Sequence, residues 1–402
     1  MNEQLTLPLL EAVDQNNVPR VRALLKQGAN PAAQGEHSKA LHSASYWGYT
    51  SIVELLLRYG AHPNEADQTG LYPLHLAASE GRTAACNRLL KAGAKKEQRN
   101  ESGGTALHLA AAGNYAATCN ALLKGGCDLE ARSSDGSTPL LTASALGNKG
   151  AVKALLKAGA RRDAQNEQEQ TALLLALWNV QTSRLNDWEY EFQEDGENAR
   201  YYLEQGALRY QANYNKFAPE LGQLLSLRVQ RELALTPWGP TMHLNYLDAL
   251  ATTKLLIQAG GPFEQADTRG LTPLRLACYA GVGQLIVLLE QAGVQPEVNP
   301  WQGVTELHQV AASQRLDGLE AYFKAYGNAK VNAIDERGWT PAHYLADMGG
   351  PVAMATVLRA QEANFGLKST AATENLPTGL TPARLAFHWK DLDLAMALDE
   401  TV

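Results

Sequence analysis

The chain is short of the residues that most often carry chemistry or staple a fold. It has 4 cysteines in 402 residues, too few for a disulfide scaffold though enough for two bridges or one zinc site. No run approaches the roughly 18 consecutive apolar residues of a membrane-spanning helix, so no membrane association is expected. Met1–Gln4 places no basic segment before an apolar stretch, and a cytoplasmic location is expected. There is no excess of cations either. Lys and Arg number 35 against 42 Asp and Glu, a net charge of -7, so the overall balance does not suit a phosphate backbone and nucleic acid is not an expected partner. The phosphate loop Gly-x-x-x-x-Gly-Lys-Ser/Thr is absent, as are His-Glu-x-x-His, Gly-x-Ser-x-Gly and a paired Cys-x-x-Cys. The expectation is therefore no enzymatic activity, no cofactor and no metal.

What the chain does have is one phrase, said many times. Thr105-Ala106-Leu107-His108-Leu109-Ala110-Ala111 follows Tyr72-Pro73-Leu74-His75-Leu76-Ala77-Ala78 by 33 residues, and Thr138-Pro139-Leu140-Leu141 and Thr171-Ala172-Leu173-Leu174 keep the step. The phrase returns at Thr272-Pro273-Leu274-Arg275, Thr305-Glu306-Leu307-His308, Thr340-Pro341-Ala342-His343 and Thr381-Pro382-Ala383-Arg384. Pro in the first helical turn wastes no hydrogen bond, and the Leu and Ala positions fall at helical spacing. A second marker closes the following helix at Gly28, Gly60, Gly93, Gly126, Gly159, Gly206, Gly260 and Gly293, where a left-handed cap ends it. The steps between these glycines are 32, 33, 33, 33, 47, 54 and 33. Between that Gly and the next Thr runs a polar finger with turn chemistry, as in Asp67-Gln68-Thr69-Gly70 and Asp267-Thr268-Arg269-Gly270.

This period and wording resemble the ankyrin-repeat family, over about 330 residues of the chain. The resemblance implies an all-α solenoid of helix-turn-helix units with short β-hairpin fingers, elongated as one stack of about eleven units. Residues 7–37 read as the N-terminal cap repeat and 38–170 as regular repeats. Over 171–271 the two long steps read as two modified repeats, with insertions at about 180–197 and 234–246. Residues 272–380 read as regular to slipped repeats and 381–402 as a C-terminal cap with a charged outer surface.

The four cysteines follow the register. Cys86 and Cys119 hold one place in neighbouring repeats, roughly 8–10 Å apart and beyond disulfide reach, and Cys127 and Cys278 stand where other repeats have Ala. All four read as reduced core residues. The histidines His42, His75, His108, His308 and His343 share the fourth place of the phrase, one per repeat, too widely spaced to share a metal and suited to tying repeats together through the backbone.

Function is carried by fold only weakly. The resemblance implies a protein–protein interaction module, monomeric alone, using the concave ends of the inner helices and the finger tips. Mapped onto this sequence, the concave positions are Tyr46, Trp47, Glu80, Leu146, Trp178, Tyr279 and Trp389, and the finger tips are Arg99, Tyr214, Arg269, Trp301 and Arg337. Large aromatics and arginine dominate many interfaces. A third candidate is the acidic, aromatic stretch Asp187, Trp188, Glu189, Tyr190, Glu191, Phe192, Glu194, Asp195, read as an exposed loop. It would steer a partner with a basic surface, as in an inhibitor, and the family includes bacterial immunity-type proteins. The alternatives are a passive scaffold, or an enzyme with its site built in 180–248.

Overall fold

The computed structural model describes residues 3–35, 39–67, 70–191, 246–297, 301–370 and 377–399. Its contacts sort the chain into two units, Met1–Asn179 with Leu247–Arg269, and Val180–Tyr246 with Gly270–Val402. In the first unit, inner and outer helices alternate in pairs. These are Thr6–Asp14 with Val18–Lys26, Ala40–Trp47 with Thr50–Arg58, Pro73–Ser79 with Thr83–Lys91, Ala106–Ala112 with Ala116–Lys124, and Pro139–Ala145 with Lys149–Lys157. Ala172–Glu191, which begins in this unit, is followed by Tyr246–Ala259. The second unit pairs Pro273–Ala280 with Gly283–Gln291, Glu306–Ala312 with Leu316–Tyr326, Pro341–Met348 with Val352–Ala360, and Pro382–His388 with Leu392–Ala397. Each unit is a helical solenoid.

The repeated phrase makes these helices directly. Thr138 and Thr272 cap their helices through Oγ1, which accepts the N–H three residues on, and Pro follows as the first helical residue. Seven outer helices stop at a glycine with φ between +75° and +99°: Gly28, Gly60, Gly93, Gly126, Gly159, Gly260 and Gly293. The residue after it then donates back across the helix end, Ala94 N to Leu89 O at 3.0 Å and Ala160 N to Leu155 O at 3.0 Å. Cys127 makes the same bond, N to Leu122 O, which explains its burial without a bridge.

The fingers differ from the expected hairpins. Among the described residues the β pairing is a single isolated bridge, Gln34 with Lys39, and no strand forms. The fingers at Asn100, Asp135, Asn166, Asp267 and Asp335 are tight loops in which that side chain accepts backbone N–H groups of the turn. Asp335 Oδ1 accepts from Arg337 N at 2.9 Å and Trp339 N at 2.8 Å, and Asn166 Oδ1 accepts from Gln168 N at 3.1 Å and Gln170 N at 2.8 Å.

Successive fingers are stitched by one backbone bond, Ser134 N to Ser102 O (3.1 Å), then Glu167 N to Asp135 O (3.0 Å), then Thr268 N to Gln168 O (3.2 Å). The last of these bears on the reading of 171–271. The finger before Thr272 is bonded directly to the finger before Thr171, so among the described residues one place in the stack lies between them. Tyr246–Ala259 supplies the outer helix of that place: Thr252 Oγ1 donates to Gly147 O at 2.8 Å, on the preceding repeat. The expected outer helix near 199–207, the second inner helix near 221–233 and the loop 234–245 lie outside the described residues.

A second correction concerns the start of the acidic stretch. The inner helix does not stop at Asn179 but continues to Glu191, because no Pro or Gly interrupts 172–191. The end repeat departs too. Phe387 stands at the place that Ala78, Ala111 and Cys278 bury completely, yet it is exposed, together with Leu392 and Met396. The end is more apolar than its charges suggested.

The histidine ladder holds at His75, His108, His308 and His343, whereas both ring nitrogens of the buried His42 lack a hydrogen-bond partner. In His108 the Nδ1 atom accepts from Thr105 N at 3.2 Å, which puts the proton on Nε2, and Nε2 donates to Ser137 O of the next repeat at 3.0 Å. His308 reaches Trp339 O at 2.9 Å, His343 reaches Leu380 O at 3.0 Å and His75 reaches Gln98 O at 2.9 Å in the same way. Both ring nitrogens are occupied, leaving no lone pair for a metal.

Candidate interaction surface

The inner helices end, and the outer helices begin, at short junctions that carry most of the predicted concave residues. Tyr46 and Trp47 close the helix Ala40–Trp47, 37% and 52% exposed, with their rings edge to face at 5.1 Å. The pair is braced from the next repeat, where Arg82 Nε donates to Tyr46 O at 3.0 Å. One step further, Tyr115 lies over Gly81, which has φ +67° and whose missing Cβ would fall 2.5 Å from the Tyr115 ring. Glu80 and Leu146 cap their helices half-buried in the same register. Arg82 and Tyr115 were missed in the sequence reading, although the glycine facing each was a visible signal. A Gly81→Ala variant is expected to lose about 1–3 kcal/mol from strain and ring displacement, read as a lower urea midpoint. An unchanged midpoint would mean that Tyr115 does not rest there.

Other predicted contacts are committed within the protein. Arg99 Nη1 donates to Gly103 O at 3.1 Å in its own finger and to Arg132 O in the next, and Arg132 repeats the pattern to Gly136 O and Gln165 O at 2.8 and 2.7 Å. Arg269 grips the buried Asp267 carboxylate through Nε and Nη2 at 3.0 and 2.6 Å and lies 4.6 Å from the centre of the Trp178 ring. The finger and inner-helix candidates thus meet at that point. Arg337 does likewise, bonding Asp335 Oδ2 and the Tyr344 hydroxyl, each at 2.8 Å, over the Trp339 ring. Trp389 Nε1 donates to Asp347 Oδ1 at 3.1 Å, and Tyr279 is half-buried.

Asp187, Trp188, Glu189, Tyr190 and Glu191 fall on the helix Ala172–Glu191, so this part of the acidic stretch is helical rather than a loop. Their side chains, and Phe192, Glu194, Asp195 and Tyr214, lie outside the described residues, as does the Trp301 side chain. Trp301 itself opens a short turn, Trp301–Gly303.

A buried ionic group was also missed. Arg275 takes the place that His holds elsewhere in the phrase, and its guanidinium bonds Val304 O at 3.0 Å beside Glu297. Glu306, buried on the adjacent helix, accepts from Glu297 N at 2.9 Å and meets Lys330 at 3.5 Å. Desolvation raises the Glu297 carboxyl above its ordinary range. The group joins neighbouring repeats and replaces the histidine tie.

The described nucleophiles are muted. Burial pushes the Cys86, Cys119 and Cys127 thiols up to about 12 and Cys278 well above the ordinary value, so they stay protonated near neutrality. Burial also lowers the ladder histidines, holding them neutral. Among the described residues no group of three or more His, Cys, Asp or Glu is placed to hold a metal ion. Nor is any helix there long and apolar enough to cross a membrane.

Comparison with known proteins agrees with this geometry. The family model described as ankyrin repeats (3 copies) matches residues 2–67, 62–133 and 116–186. One similar protein, Zygote-specific protein 3 of Chlamydomonas reinhardtii, is 42% identical over 64 residues, covering 16% of this chain and 17% of that protein. The chain thus matches well under a fifth of that relative's length.

Proposed function

Because this chain is an ankyrin-repeat protein, a module for binding other proteins, we propose that it acts by occupancy, as an inhibitor that covers part of a partner protein. The observation that carries this reading is the Tyr46–Trp47 pair, two large exposed rings held edge to face on a braced junction. Rigid aromatics lose little entropy on binding and can anchor a hot spot. The muted thiols and histidines give an enzyme reading no support. The acidic stretch 187–195 would steer the partner to the ledge, as suits a partner with a basic site.

The test is kinetic. Once a partner is captured from native lysate, Trp47→Ala is expected to speed its dissociation, costing about 2–4 kcal/mol with little salt dependence. Neutralising Asp187, Glu189 and Glu191 is expected to slow association, by an effect that shrinks as ionic strength rises. Rates unmoved by both sets would place the contact elsewhere. A partner whose activity is undiminished in the complex would favour the scaffold reading instead.

A further inference from the structure

The net charge of -7 conceals a sorted distribution. The five outer helices between Val18 and Lys157 carry ten Lys and Arg against one carboxylate, Glu54. Each of these helices ends on an exposed cation: Lys26, Arg58, Lys91, Lys124 and Lys157. One turn back on the same face stand Arg22, Glu54, Asn87, Asn120 and Lys153. Glu54 is neutralised there by Arg58 at 3.1 Å and Arg88 at 3.5 Å. The four outer helices of the second unit carry two cations against four carboxylates, so this pattern is not general to the repeat.

Helix electrostatics account for part of the row. A cation in the last turn is favoured by the negative end of the helix dipole, which explains one per helix. It does not explain Arg20 in the first turn of Val18–Lys26 or Lys149 at the first position of Lys149–Lys157, where the dipole opposes a positive charge.

From this we infer that the outer-helix side of residues 18–157 is a second docking surface, for an acidic segment of a partner protein. The surface is distinct from the aromatic ledge and opposite in sign to the acidic stretch. Its end-of-helix cations recur once per repeat, roughly 8–10 Å apart at helix-packing distance. Phosphates recur along one DNA strand about every 3.4 Å. The neutral amides Asn87 and Asn120 and the carboxylate Glu54 in the middle row suit the mixed donors and acceptors of a protein better than a continuous polyanion. Among the described residues the exposed large apolar side chains next to these helices are Tyr59 and Tyr115, one ring at each of two helix ends, too sparse a set to wedge into a bilayer.

The experiment uses the full chain and its Lys91→Glu, Lys124→Glu, Lys157→Glu triple variant, with the corresponding triple Gln variant as a second series in case reversal impairs folding. Labelled polyglutamate peptide, phosphatidylserine–phosphatidylcholine vesicles and a mixed-sequence DNA duplex are titrated at low and physiological ionic strength. The native chain is expected to bind the peptide in preference to vesicle or duplex. Binding should weaken with salt and fall by more than about tenfold on charge reversal, with the Gln series intermediate. Peptide binding indifferent to both series overturns the surface, and tighter binding to vesicle or duplex overturns its assignment to a protein partner. Because Trp47→Ala leaves these cations untouched, failure of the ledge and failure of this surface are separately visible.

Discussion

Replacing Asp335 with Ala is expected to lower the stability of the second unit by about 3–5 kcal/mol, the loss typical of removing one partner from a buried ion pair. This carboxylate is 6% exposed and organises its whole finger. Oδ1 closes the turn on two backbone N–H groups, while Oδ2 accepts from Arg337 Nε at 2.8 Å and from the Tyr344 hydroxyl at 3.1 Å. Without it, the guanidinium stands half-buried over Trp339 with its carboxylate gone, and Trp339, whose carbonyl receives His308, loses its anchor. Asp335→Asn keeps an oxygen for the turn and should cost less than Ala. Urea unfolding followed by tryptophan fluorescence reads the difference, and a loss under about 1 kcal/mol for Ala would show that the turn holds without its carboxylate.

The second large effect is acid sensitivity. Burial lowers His308 from 6.5 to about 4. The unfolded chain therefore takes up a proton that the folded one refuses. The stability this residue contributes is complete above about pH 6.5 and is lost as pH falls toward 4. From that interval the loss is about 3 kcal/mol at the acid end, at ~1.4 kcal/mol per unit. The Trp339 carbonyl and Asp335 pull the other way, and Arg337 and His343 add to the lowering. His42, His75, His108 and His343 are lowered by burial as well and steepen the same fall, while the raised Glu297 carboxyl opposes it at its own lower pH. His308→Ala should start about 1–3 kcal/mol less stable at neutral pH yet show a shallower decline on acidification. Denaturant midpoints across this interval decide it, and an equally steep decline in the variant would refute the assignment.

Much of the fold could be read because its devices are local. Thr and Pro start a helix and Gly stops one, so the phrase and the glycine step carry the pattern of paired helices without any distant contact. The histidine tie was legible for the same reason, since one residue type recurs at one place. What was misread depends on neighbours. Register says that Arg99 sits near a finger tip, but not that the carbonyl of Arg132 lies within its reach. Arg269 and Arg337 look available until their own fingers fold around Asp267 and Asp335, and Trp389 until Asp347 of the repeat beside it is in place. In the middle of the chain the steps of 47 and 54 gave no sign that the fingers at 168 and 268 touch. The outer-helix cations were in plain view but averaged away in a chain of negative net charge.

That one place in the first unit is filled by helices far apart in sequence has a consequence for how the stack forms. The five earlier pairs join inner to outer helix through two or three residues, whereas residues 192–245 lie between Glu191 and Tyr246. Contacts between segments so far apart in sequence form later than those across a three-residue junction. In a linear array each unit borrows stability from its neighbours, so the position that depends on the most distant contact is expected to be the weakest step of the series. The pairs before it can zip up from local contacts alone, and Tyr246–Ala259 docks onto a platform already built. Under mild denaturation this is where the first unit opens, and its amide hydrogens are the first to exchange.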